Sequence, residues 1–189
     1  MRLNPTKWFR KDPQMEAARR LYVAIVEQAR QPNFYTICGV PDTVTGRFDL
    51  IALHCFLVMN RLKDGNTTRP LAQAISDVVV DDMDRNLREM GTGDLAVGKK
   101  VKRVMEGYFG RLEGYKQALS GDDDGLAAAL RRNLFAEATP SDGQLAAVVD
   151  YMRREAAGLG DQPIDRLEAG YAAFGPPPSD DELEESHAG

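Results

Sequence analysis

Residues 48–59, FDLIALHCFLVM, constrain the fold most, because only Asp49 and His54 interrupt an otherwise apolar run. Its length and its Leu, Ala and Met content favour a helix over a strand. A helix that is apolar on every side has to be surrounded by other helices. Residues 45–63 therefore predict the central helix of an all-α bundle. The chain has 189 residues and is 43% hydrophobic, enough for one core in one domain. No window approaches the roughly 18 uninterrupted apolar residues of a membrane span. The opening MRLNPTKWFRKDP has charges but no apolar run behind them, unlike a secretory signal. The expectation is a protein that stays where it is made, with Cys38 and Cys55 as reduced, buried thiols.

The remaining helices follow from caps and periodicity. Asp12-Pro13 is an N-cap followed by Pro at the first helical position. Met15, Ala18, Leu21, Tyr22, Ile25, Val26 and Ala29 then mark one apolar face, ending near Pro32. The loop 32–44 carries Phe34, Tyr35, Ile37, Cys38 and Val40, so it is expected to pack down. A third helix is predicted from Thr68-Arg69-Pro70 to Met90, closed by Gly91. Its core arc is Leu71, Ile75, Val78, Val79, Met83, Leu87 and Met90. Asp82 and Asn86 fall inside that arc, so the Asp82 carboxylate needs a partner. A fourth helix is predicted from Val97 to Leu119, a fifth to Phe135, a sixth from Thr139-Pro140 or Ser141, and a seventh over residues 163–174 using Ile164, Leu167 and Tyr171. The organisation is a basic-aromatic arm at 1–11 around Trp8 and Phe9, a domain of six or seven helices at 12–174, and a disordered acidic tail at 175–189.

Charge narrows the function classes. The net charge of −5 equals the excess contributed by Asp180, Asp181, Glu182, Glu184 and Glu185. The rest is balanced, which disfavours a DNA partner. Enzyme chemistry has little to stand on. Of two histidines, His187 lies in the tail, and His54 sits alone on the apolar helix. Metalloprotease, P-loop, dinucleotide and nucleophile-elbow motifs are absent. Around the central helix, His54 diverges from Asp49 and Cys55, so these three do not form one ligand set. No cofactor, metal or catalytic residue is expected.

Residues 81–115 are the most unusual stretch. Acids at Asp77, Asp81 and Asp84 precede a glycine corner at Gly91, Thr92 and Gly93. The bases Lys99, Lys100, Lys102 and Arg103 follow it. Positive charge in the first turns of a helix opposes the macrodipole. Either the preceding acids compensate it, or the cluster meets an anion or an acidic partner. Gly107, Gly110 and Gly114 share that side of the fourth helix, and each helical glycine costs about 0.8–1 kcal/mol relative to alanine. A close internal crossing or a docking groove for another helix would offset this.

These residues carry a family resemblance. FDLIALHCFLVMNRLK, the DDMDRNLREMGTGDL corner and GKKVKRVMEGYFGRLEGYKQAL resemble the ubiquinol–cytochrome c chaperone family over residues 34–120, and more loosely toward 174. The marks are Asp82, Asp84, Leu87, Arg88, Gly91, Gly93, Asp94 and Leu95, then Gly110-Arg111 and Tyr115. The resemblance implies an all-helical, non-catalytic assembly factor for the bc1 complex. Its mitochondrial members bind newly made cytochrome b, with a small partner subunit beside the ribosomal tunnel exit. The lack of an evident organelle leader is similar to bacterial members, so a cytoplasmic place with peripheral contact to the inner membrane is expected. The expected partner-binding set is Asp82, Asp84, Arg88, Asp94, Lys99, Lys100, Arg103, Gly107, Gly110, Arg111 and Gly114. A membrane-peripheral adaptor held by Trp8, Phe9 and the bases is the alternative.

Overall fold

The computed structural model describes residues 12–63 and 68–185. The expected arm at 1–11, with Trp8 and Phe9, lies outside the described residues. The order is α1 (Pro13–Ala29), α2 (Asn33–Thr36), α3 (Val44–Leu62), α4 (Arg69–Glu89), α5 (Asp94–Leu119), α6 (Asp123–Asn133), α7 (Asp142–Asp161), α8 (Ile164–Glu168) and α9 (Asp180–Glu185). Among the described residues there is no strand.

The apolar run becomes the centre. α3 packs against α1, α4, α5 and α7, and residues 49–58 are all buried. The helix begins where the Thr43 hydroxyl accepts the Gly46 N–H at 3.1 Å. α1 starts on Asp12 in the same way, its carboxylate accepting from Gln14 N–H at 3.0 Å. The loop after α1 packs down as expected, with Phe34, Cys38 and Val40 buried. α7 opens on a capping box in which Ser141 and Gln144 satisfy each other's backbone N–H groups.

Three expectations need correction. α5 begins at Asp94 on a Gly93 N-cap, three residues before the expected Val97. Leu95 and Ala96 are exposed, so the apolar arc starts late although the helix does not. α8 stops at Glu168 and does not run to Phe174. Gly170 takes a φ of 90° there, with Tyr171 N–H on Arg166 O and Gly170 N–H on Leu167 O, both at 2.9 Å. This Schellman closure ends the helix, leaving Leu167 buried and Tyr171 exposed. A Cβ at Gly170 would come within 2.9 Å of the Ala17 backbone, so α1 also depends on its absence.

The third correction concerns the tail. Residues 171–179 form a packed strap, and α9 rests on α7. Gln162 pairs with the Ala173 backbone at 2.8 and 2.9 Å, and Gly175 N–H donates to Glu155 at 2.8 Å. Gln28 donates to Gly175 O at 2.9 Å, Asn33 to Pro178 O at 3.0 Å, and Arg154 to Pro176 O. Prolines have no N–H to satisfy, so over residues 176–178 the side chains meet carbonyls alone. Ala172 and Phe174 pack against the core, Phe174 edge-on to His54 at 5.4 Å, and beyond them the apolar-poor segment is held by polar side chains from α1, α2 and α7. Residues 186–189 lie outside the described residues.

Candidate functional site

α4 and α5 pack on each other and form a hairpin whose far end leaves the bundle. Between residues 84 and 104 only Val97 is buried. The bend is a second Schellman closure: Gly91 has a φ of 80°, Thr92 N–H donates to Leu87 O at 3.0 Å, and Gly91 N–H to Arg88 O at 2.9 Å. Met90, expected in the core arc, is 58% exposed because that arc runs past the end of the bundle. Leu95, just beyond the bend, is fully exposed at 102%.

The expected site residues divide into two groups. One is turned inward. Asp82 finds the partner its position demanded: Tyr22 OH donates to it at 2.9 Å and Asn86 Nδ2 at 3.0 Å, tying α4 to α1. Arg111 reaches the central helix, with its Nε 2.8 Å from Asp49 Oδ1, close enough for an ion pair but outside hydrogen-bond geometry. Asp49 is 3% exposed and Arg111 21%. Burial raises the Asp49 carboxyl to about 6, and the Arg111 charge only partly offsets this. Gly107 makes room for that arginine, since a Cβ there would lie 2.9 Å from Arg111 Nη1. Gly114 faces α6, where a Cβ would sit 3.4 Å from Asn133 Nδ2.

The other group faces outward at the hairpin. Arg88 clasps the corner, with Nε 2.6 Å from Asp84 Oδ2 and Nη1 on Asp94 Oδ1. Lys100 Nζ donates to Thr92 Oγ1 at 3.1 Å, and Lys102 lies 3.9 Å from Glu106. Among the described residues neither Lys99 nor Arg103 has an ion pair, and no base of the cluster meets Asp77, Asp81 or Asp84. The preceding acids therefore do not neutralise the cluster. Gly110 has nothing within 4 Å of where a Cβ would stand. The glycine stripe thus serves the interior at Gly107 and Gly114 and is open at Gly110. A cleft of about 580 Å³ lies between Asp81, Asp84 and Arg88 on α4 and Gly98 and Val101 on α5.

On the opposite side of α3, His54 is structural. Its Nδ1 is 2.8 Å from Leu50 O, which can only accept, so Nδ1 carries the proton. Nε2 then accepts from Tyr151 OH at 2.8 Å, and that oxygen accepts from Gln28 Nε2 at 3.0 Å. Full burial lowers the imidazole to about 4. Cys55, beside Tyr108, is pushed up to about 12 by burial. Asp49 faces α5 and His54 faces α7, matching their divergence on the wheel. The pairing of Asp49 with Arg111 went unread in the sequence. Its signal was an acid within a fully enclosed helix, which requires a cation from another element.

The fold class is therefore an all-α bundle that extends one two-helix arm. Residues 36–174 match the model of the Ubiquinol-cytochrome C chaperone family, and the chain belongs to that family. It is 29% identical over 140 residues to Ubiquinol-cytochrome c reductase complex assembly factor 1 of Mus musculus, and 28% identical over 140 residues to that of Homo sapiens. Each match covers 74% of this chain but only 48% and 47% of those proteins, so the chain spans about half of their length. The crystal structure of the Cbp3 homolog from Brucella abortus is similar at 33% identity and a TM-score of 0.76, covering 87% of this chain and 91% of that one.

Proposed function

We propose that this protein is a non-catalytic assembly chaperone of the cytochrome bc1 complex that holds newly made cytochrome b on its α4 and α5 hairpin. The reading is supported by family membership and by relatives named as assembly factors of that complex. The observation that carries the site is the hairpin itself: an arm with one buried side chain over residues 84–104 and bases unneutralised by the acids before the bend. Lys99, Lys100, Arg103 and Gly110 form the grip, and the Asp84, Arg88 and Asp94 cluster sets the angle of the bend. Asp82, Gly107, Arg111 and Gly114 support it from inside. A small partner subunit and the ribosome are the further partners this reading admits. Among the described residues no helix is long and apolar enough to cross a membrane. The proposed place of work is the cytoplasm, at the inner face of the membrane where cytochrome b is inserted.

Deleting the gene and quantifying assembled bc1 complex tests the role. Loss of the complex is expected, and an unchanged amount would defeat the proposal. Lys99→Glu, Lys100→Glu and Arg103→Glu together test the site. Helicity should be retained while cytochrome b recovered with the chaperone falls, and equal recovery would remove these bases from the grip.

A further inference from the structure

We infer that the outer face of the hairpin, from Leu95 to Phe109, is a docking surface for an anionic lipid bilayer. Three observations point there. The first is charge: residues 95–109 carry Lys99, Lys100, Lys102 and Arg103 against one acid, Glu106, which lies 3.9 Å from Lys102, within a chain of net charge −5. The acids at the bend, Glu89 and Asp94, are outnumbered, and Asp94 is already clasped by Arg88.

The second is the apolar partners of that charge. Leu95, Lys99, Lys102 and Phe109 are spaced at four, seven and fourteen residues, so they share one stripe of α5. Leu95 is 102% and Phe109 50% exposed, separated by about 21 Å of helix at 1.5 Å per residue. Met90, 58% exposed, sits on the other side of the bend. At a bilayer interface such side chains enter the boundary between headgroups and acyl chains, while lysine and arginine stems lie alongside and reach the phosphates.

The third is openness. Gly93 at the bend and Gly110 further along α5 have nothing within 4 Å of a Cβ position. A fluid interface can settle on such an uncovered face without a preformed pocket. The cleft between α4 and α5, where Asp81 and Asp84 are balanced by Arg85 and Arg88, is a separate surface.

Flotation of the full chain with vesicles tests this. Phosphatidylcholine vesicles containing phosphatidylglycerol should carry the protein up the gradient at low salt, and pure phosphatidylcholine should not. Replacing Lys99, Lys102 and Arg103 together by Gln should weaken the binding about a hundredfold, roughly fivefold per cation lost. Leu95→Asp should also reduce it, and since these side chains are exposed, helicity should be unchanged in every variant. No flotation of the wild type would overturn the inference. Undiminished flotation of both variants would do so too, by placing the contact elsewhere, for example in residues 1–11. Variants that float normally but recover less cytochrome b would overturn the inference too, leaving these bases to the client grip of the chaperone reading alone. Failed bc1 assembly tests belong to the chaperone reading, because vesicle binding needs no client.

Discussion

Asp49 and Arg111 show how a residue marked for an outside partner can be required within. The carboxylate is buried in the central helix, and Arg111 supplies the compensating charge across the α3 and α5 contact. Arg111→Leu should cost about 3 kcal/mol at pH 7, the low end for a broken buried pair because the arginine is partly exposed. Part of that loss should return at pH 5, where the orphaned carboxyl protonates; urea unfolding at the two pH values checks both. Two buried groups pull in opposite directions on the acid side. His54, lowered from 6.5 to about 4, loses stability as pH falls through that window, because the unfolded chain takes the proton first. Asp49, raised from 3.8 to about 6, gains stability as pH falls, because the folded chain takes the proton first. Asp49→Asn should therefore steepen the fall of melting temperature between pH 7 and 5, and an unchanged slope would exclude this carboxyl as the counterweight.

At the scale of elements, the helix caps decide boundaries that apolar periodicity misplaces. Gly91 and Gly170 close α4 and α8 with the same pair of hydrogen bonds. Gly91 was legible because the next residues break the pattern, whereas Tyr171 continues it and disguises Gly170. The start of α5 was misplaced for the converse reason: Leu95 and Ala96 are helical without being buried. Substituting the glycines separates these roles. Gly110→Ala should stabilise the protein by about 0.8–1 kcal/mol, since the site is open and alanine is the better helix former. Gly170→Ala should destabilise it, because a positive φ and the Ala17 backbone both oppose a Cβ. Thermal denaturation of the two variants, expected to shift in opposite directions, is the check.

Across the whole molecule, a tight bundle around α3 anchors a sparsely packed arm on one side and a strap on the other. Over residues 84–104 the arm buries only Val97. The strap covers α1 and α7, and its Gly175 N–H is a partner of Glu155, a carboxylate that is otherwise buried. Truncation after Gly170 should leave Glu155, Gln28 and Asn33 without these partners and lower stability by about 2–3 kcal/mol. A lower urea midpoint for the truncated chain, with helicity largely retained, is the expected result, and an unshifted midpoint would show that the strap only rests on the surface.

The all-α class, the enclosed central helix, most caps and the corner were legible in the sequence because they are local: periods of three and four, Asp-Pro and Ser starts, glycine stops. Only the tertiary structure decided which polar groups were already engaged. Asp82 meets Tyr22, Arg111 meets Asp49, and the proline strap meets Gln28 and Asn33, all across gaps of sixty residues or more. Hydrogen bonds and ion pairs depend on distance in space, and a pattern of residue types along a chain carries no record of that distance. The division of the hairpin into an inner supporting set and an outer presenting set follows from packing alone.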